Sequence, residues 1–198
     1  MSSEFSLGPE PLKVFLGWFD EAVAAADPFP DAMTLATCTA SGRPSARVVL
    51  YKGLSDGSLR FFTNYSSRKG RELEENPFVA ALFHWTSLAR QVRIEGRVEA
   101  LSAAESDAYF RSRERQSQLG AWASPQSQTI AERGALTREY AAVEVRYAGA
   151  EIPRPAHWGG YRIIASSYEF WIGREHRLHD RVLYTKAGAG YRQTALAP

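Results

Sequence analysis

A single cysteine in 198 residues excludes an intrachain disulfide, and with it the stapled folds of oxidising compartments. Cys38, within Leu35-Ala36-Thr37-Cys38-Thr39, reads as a buried strand residue rather than a nucleophile, since a reactive thiol needs a base or cation close by. Long apolar runs are also missing: nothing approaches the roughly eighteen residues of a membrane span. Met1-Ser2-Ser3-Glu4-Phe5 carries neither the basic region nor the apolar core of a secretion signal, so a soluble, cytoplasmic protein without a membrane partner is expected. Charge of one sign is scarce too. With 24 Lys+Arg against 22 Asp+Glu, the net charge of +2 gives no reason to expect nucleic acid, and any anion site must come from local arrangement. No repeat, low-complexity tract or linker breaks the chain, which suits one domain, 1–198, with residues 1–30 as a helical segment packed on it. No Gly-x-Ser-x-Gly elbow, P-loop or Gly-x-Gly-x-x-Gly follows a strand, which weakens serine hydrolase, NTPase and dinucleotide-binding readings.

What is present is short alternating runs. Leu12, Phe15, Leu16, Phe19 and Val23 form a helical stripe between Pro9 and Ala26. Strands are expected at 33–39, 45–52, 59–63, 78–85, 90–101, 161–164, 168–172, 181–185 and 191–196, most of them joined by hairpin turns. Gly96 interrupts one of them as a bulge or close approach. Helices are expected from Ser67, from the capping box Ser102-Ala103-Ala104-Glu105, and from about Gln128 to Tyr147. About nine short strands with three or so helices predict a mainly β fold, an antiparallel barrel flanked by helices.

Three stretches could carry chemistry. Asn64-Tyr65-Ser66-Ser67-Arg68-Lys69-Gly70 follows a strand and opens a helix, where free N–H groups, two hydroxyls and two cations can converge on a phosphate; a plain helix cap with surface cations fits the stretch equally well. Strand 45–52 places Arg47, Val49 and Tyr51 on one face and Val48, Leu50 and Lys52 on the other, and cations that share a strand with core residues usually need an anionic partner. A second basic group, Tyr109 to Ser117, mixes three arginines with hydroxyls, and its plain reading is a solvated helix end. Third, Glu169 to Arg181 passes from aromatics into seven ionisable residues around Leu178. His176 and His179 fall short of a metal site, because zinc wants three or four ligands and only His84, His157 and Cys38 remain. Aromatics alternating with arginines also suit single-stranded nucleic acid, but the core can absorb most of them.

Taken in order, Arg47-Val48-Val49-Leu50-Tyr51-Lys52, Phe62-Thr63-Asn64, Ser67-Arg68-Lys69, Arg90-Gln91-Val92, Tyr109-Phe110-x-Ser112-Arg113, Ser117-Gln118-x-Gly120-Ala121-Trp122, Gln126-Ser127, Phe170-Trp171 and Arg177-Leu178-His179-Asp180-Arg181 resemble the pyridoxine (pyridoxamine) 5′-phosphate oxidase family over most of the chain. The resemblance implies an FMN-binding split barrel, usually a homodimer with FMN in clefts between subunits. It implies that Arg47, Thr63, Arg68, Lys69 and Ser127 hold the FMN phosphate and ribityl chain, that Gln91, Gln126, Trp171 and Arg181 also contact FMN, and that Val48, Val49, Leu50, Lys52 and Phe62 belong to the same cofactor site. It further implies that Lys52, Tyr109, Arg113 and Ser117 grip a substrate phosphate, while Arg177, Leu178 and His179 lie at the substrate ring, with Arg177 and His179 as catalytic residues.

The implied reaction oxidises the 4′ carbon of pyridoxamine or pyridoxine 5′-phosphate by hydride transfer to FMN, with O2 as acceptor and H2O2 as product. Family members commonly carry a basic N-terminal arm that closes over the substrate, and Met1 to Pro11 shows no such segment. Two other readings remain: a split-barrel flavin oxidase acting on another ring system, which the phosphate grip of Lys52, Tyr109, Arg113 and Ser117 disfavours, and a flavin or pyridoxal phosphate binding module without turnover.

Overall fold

Pro11 opens helix α1 (Pro11–Ala24) in the computed structural model, which describes residues 7–198. A proline costs nothing there, since its missing N–H would have had no partner in the first turn. The helix buries Phe15, Trp18 and Ala22, whereas Val23, expected on the inner stripe, is exposed and Trp18 takes the inward place. Phe15 meets Phe83 at 4.9 Å and the edge of Tyr51 at 5.6 Å between ring centroids, so the helix is seated on the barrel by aromatic contact. The stretch lacking a basic arm falls mostly on residues 1–6, outside the described residues.

Nine strands make one sheet: β1 (Ala32–Cys38), β2 (Pro44–Leu50), β3 (Leu54–Ser55), β4 (Ser58–Asn64), β5 (Phe78–Trp85), β6 (Arg90–Ala100), β7 (Trp158–Ile172), β8 (Asp180–Ala187) and β9 (Gly190–Ala195). Every pairing is antiparallel. Strand β7 organises the sheet: β6 runs along one edge for almost its whole length, while the other edge pairs first with β4 and then with β8. The sheet thereby splits, and the approach of β2 to β4, where Lys52 N–H donates to Arg60 O at 2.9 Å, closes an antiparallel barrel. The expected bulge is real, since the β6–β7 register shifts between Glu95 and Gly96. A Cβ at Gly96 would run into the Ile164 carbonyl, so only glycine permits that approach.

Helices α2 (Arg68–Glu75), α3 (Ala103–Ser112), α4 (Arg115–Ala123) and α5 (Arg133–Arg146), with short 3-10 turns at Thr86–Leu88 and Glu175–Arg177, complete the described elements. One core fills the barrel around Leu35, Phe61, Phe83, Ile94 and Phe170; a smaller one, around Phe110, Leu119, Val143 and Trp158, joins α3, α4 and α5 to the start of β7. Several expectations need correcting. Residues 161–164 and 168–172 are one strand: Ser167 pairs with Glu95 and Thr185, while Ser166 is the extra residue of the bulge, its hydroxyl donating to Glu95 O at 3.0 Å. Strand β3 and helix α4 were not expected, α5 starts at Arg133 rather than near Gln128, and Cys38 is half-buried at the end of its strand.

Candidate functional site

Strand β4 delivers the chain into the start of α2, and local chemistry fixes the turn. The Asn64 side chain accepts the Ser66 N–H at 2.7 Å, and the Ser67 hydroxyl caps the helix by accepting Gly70 N–H at 3.2 Å. Gly70 packs against the Tyr65 backbone so closely that a Cβ has no room. This geometry buries Lys69, whose Nζ donates to Thr63 Oγ1 at 3.0 Å, Gln126 Oε1 at 3.1 Å and Ser67 Oγ at 3.4 Å. None of these partners carries a charge. Burial, with the nearby charge of Arg47, lowers Lys69 to about 8. A buried ammonium ringed by neutral hydroxyl and amide groups is a site prepared for an anion.

One helical turn on, Glu72 is the buried counterweight. Its Oε2 accepts Thr37 Oγ1 at 2.5 Å, Ser45 Oγ at 2.7 Å and Arg47 Nη2 at 3.3 Å, while Oε1 accepts Arg68 Nε at 2.8 Å. Burial pushes this carboxyl upward, but the hydrogen bonds from Ser45, Thr37 and Arg68, with the Arg68 charge, outweigh it and hold the group at about 2. Sequence reading missed Glu72: an acid four residues after an arginine reads as a surface pair until the fold shows it buried.

Beside this cluster lies a cavity of about 460 Å³, within the range of small-molecule sites. Of the residues expected to bind cofactor, Val48, Val49, Leu50, Lys52, Phe62, Thr63, Lys69 and Gln126 line it. Tyr109, Arg113 and Ser117, expected at a substrate phosphate, line it too. Phe62 stacks on Tyr109 at 3.8 Å, and the Arg113 guanidinium lies 4.7 Å from the Trp158 ring centroid, so aromatic faces set both polar groups. Trp158 was not singled out from sequence. Arg113 Nη1 is buried without a hydrogen-bond partner among the described residues, and burial pushes this arginine below its ordinary value. Lys52 is ion-paired to Asp31 at 2.7 Å. Arg47 and Arg68 meet at Glu72, next to Lys69 rather than on the cavity wall. Ser127, exposed and with φ of 69°, also stays off the wall.

The remaining expected residues gather elsewhere. Gln91, Trp171 and Arg181 sit abreast on β6, β7 and β8. Buried Glu169 anchors Arg181 at 2.8 Å and Arg93 at 2.5 Å, and Arg181 Nη1 donates to Ala197 O at 2.8 Å. His179 lies against Trp171, with 4.7 Å between centroids, and its Nδ1 accepts the Arg174 N–H at 3.1 Å. Arg177 is exposed at φ of 61° in a short 3-10 turn, and Leu178 is exposed beside it. Asp180 pairs with Arg174 at 2.7 Å. Trp158 at the cavity and Trp171 here stand near opposite ends of a 15-residue strand, up to about 50 Å of backbone. One copy of the chain therefore carries the expected site residues in two groups, set apart along β7. Among the described residues no cluster of His, Cys, Asp or Glu could hold a metal, and no helix is long and apolar enough to cross a membrane.

An antiparallel split barrel with a cation-lined cleft at a helix start defines a class of proteins that bind phosphorylated ligands on a β scaffold. Residues 19–147 match the family model described as pyridoxamine 5′-phosphate oxidase, and residues 158–198 match that of the pyridoxine 5′-phosphate oxidase C-terminal dimerisation region. A curated relative from Rubrobacter xylanophilus, named pyridoxine/pyridoxamine 5′-phosphate oxidase, is 52% identical over 196 residues, covering 99% of this chain and 90% of its own. Among solved structures, PhzG from Burkholderia lata, in complex with tetrahydrophenazine-1-carboxylic acid, superposes with a TM-score of 0.92 at 31% identity over 100% of both chains. A pyridoxamine 5′-phosphate oxidase-related, FMN-binding protein from Nostoc punctiforme shares the fold at a TM-score of 0.74 and 18% identity, over 98% of this chain and 100% of its own. The chain belongs to the pyridoxamine 5′-phosphate oxidase family.

Proposed function

We propose that the chain is an FMN-dependent oxidase that converts pyridoxamine 5′-phosphate, pyridoxine 5′-phosphate or both to pyridoxal 5′-phosphate, with O2 as electron acceptor and H2O2 as product. The observation that carries this reading is the meeting, in one cavity, of two phosphate-grade cation groups: Lys69 among neutral donors and acceptors, and Arg113 with a buried nitrogen left unpaired. A phosphorylated cofactor beside a phosphorylated substrate satisfies both. The name of the Rubrobacter relative and the family match support the choice of vitamer and of FMN.

The site would be completed by a second copy of the chain. The match to a dimerisation region supports this, as do the two separated groups of residues and the exposed Val48 and Leu50 on edge strand β2, apolar surface that wants a cover. Lys69, Thr63 and Gln126, with Arg47 and Arg68, would hold the cofactor phosphate, and Lys52, Tyr109, Arg113 and Ser117 that of the substrate. From the other copy, Gln91, Trp171 and Arg181 would flank the flavin. When bound, FMN would supply the acceptor for a hydride from the substrate 4′ carbon, with water then replacing the amine of pyridoxamine 5′-phosphate as ammonia, and O2 would take both electrons with two protons as H2O2. The chain's own work is orientation, which can lower a barrier by about 7–11 kcal/mol at the limit. Arg177 orients the substrate ring through its oxygen. His179 accepts the Arg174 N–H at Nδ1, so its neutral ring carries the proton on Nε2, the atom available to donate toward substrate.

Purified yellow protein mixed with pyridoxamine 5′-phosphate in air should release aldehyde and peroxide in equal amounts. Cofactor binding without either product would leave only a binding module. The PhzG superposition favours one second reading, a flavin oxidase acting on a larger ring acid. Under that reading a tricyclic ring acid, and not the phosphorylated vitamer, would be turned over, and Arg113 would lack its phosphate.

A further inference from the structure

We infer that Glu72 is a positioning residue for the cofactor phosphate: its carboxylate holds Arg47 and Arg68 in the orientation that receives the phosphate and thereby sets the preference for FMN over unphosphorylated riboflavin. The inference rests on the FMN reading above. Glu72 is 4% exposed, and both its oxygens are committed, one to Arg68 and the other to Arg47, Thr37 and Ser45. A helix that needed only adhesion to the sheet would do as well with an apolar side chain there, since buried ion pairs are often no better for stability than packed hydrophobes.

The arrangement suits presentation instead. Arg68 is 54% exposed at its side chain and touches Glu72 through Nε alone, which leaves both terminal nitrogens without a protein partner among the described residues and free to fork onto a phosphate. Arg47 is fixed three further ways, donating to Leu35 O at 3.1 Å and Thr37 Oγ1 at 2.5 Å, and to Ser45. Three cations, Arg47, Arg68 and Lys69, crowd the start of α2, and their mutual repulsion would turn the exposed Arg68 out to water. Among the described residues Glu72 is the one carboxylate that ion-pairs with any of the three.

Losing the carboxylate has two opposing effects on phosphate. Positive potential rises, which draws the anion, while the arginines lose their orientation, which weakens the grip. Orientation wins because a bidentate arginine contact depends on geometry, whereas an added charge near solvent is largely screened. The test titrates cofactor-free protein with FMN and with riboflavin, following quenching of flavin fluorescence, for wild type and Glu72→Gln. FMN affinity should fall about tenfold, the size of losing one charge-assisted hydrogen bond to the phosphate. Riboflavin affinity should stay within about twofold, since it has no phosphate to lose. A purely structural role would weaken both ligands alike. If Glu72→Gln gives no soluble protein, Thr37→Val removes one support of the same carboxylate, and an FMN-selective loss of about threefold is expected. An equal loss for both ligands, no loss, or tighter FMN binding overturns the role of Glu72. Wild-type protein that binds FMN no better than riboflavin overturns the phosphate site itself, and the inference with it.

Discussion

At the scale of single residues, two cations on the cavity wall, Lys69 and Arg113, have no charged partner among the described residues. Lys69 is lowered from 10.5 to about 8 by burial and by Arg47, so its charged form is disfavoured in the absence of a ligand. A phosphate favours the ammonium. Below pH 8 the lysine is already protonated and binding costs no proton; above it, binding must take one up. FMN affinity should therefore weaken as pH rises through about 8, by up to about tenfold per unit. Riboflavin should not show the effect, and Lys69→Met should flatten it; fluorescence titration across pH 7 to 10 checks this. Lys69 was legible in the sequence because a serine-capped helix start after a strand brings hydroxyls, free N–H groups and cations together. Glu72, Glu169 and Trp158 were not. Their roles depend on burial and on neighbours far along the chain, as where Glu169 is fixed by Arg93 and Arg181.

At the scale of elements, α2 is placed by contact rather than by propensity. Its start rests on Gly70, where a Cβ would overlap the Tyr65 backbone, and on the Ser67 cap. Gly70→Ala must push the helix away from the end of β4, a strain of about 1–3 kcal/mol, which for a chain of this size lowers Tm by about 2–12 °C. Calorimetry of the cofactor-free protein measures it, and FMN content should fall as Lys69 moves from Thr63. An unchanged Tm would mean the helix start is not seated as described. Most elements could be read from alternation and turn residues, including the Ser102–Glu105 capping box and the bulge at Gly96. The failures share a cause. Helix α4 begins with polar residues and holds a glycine midway, so it has no apolar stripe to announce it; β7 carries two serines midway, which read as a break, but Ser166 is only bulged out and Ser167 continues the ladder.

At the scale of the whole molecule, the proposed site draws on two groups of residues set apart along β7, and the reading requires two copies of the chain to come together. Sequence could name residues of both halves but not their separation, which is a property of strand length and sheet order. A complementation experiment follows. One variant carries Arg113→Met in the cavity and the other Arg177→Met in the hairpin, each nearly inactive alone. In a mixed dimer one site combines both defects and the other has neither, so random mixing of equal amounts should restore about a quarter of wild-type activity. A site built within one chain would restore none. The central claim, that this fold oxidises phosphorylated B6 vitamers through FMN, is tested most directly by mixing FMN-loaded protein with pyridoxamine 5′-phosphate, and separately with pyridoxine 5′-phosphate, without oxygen. At least one vitamer should bleach the flavin absorbance within the time of turnover, and admitting air should return the colour with release of peroxide; a flavin that keeps its colour with both would contradict the account.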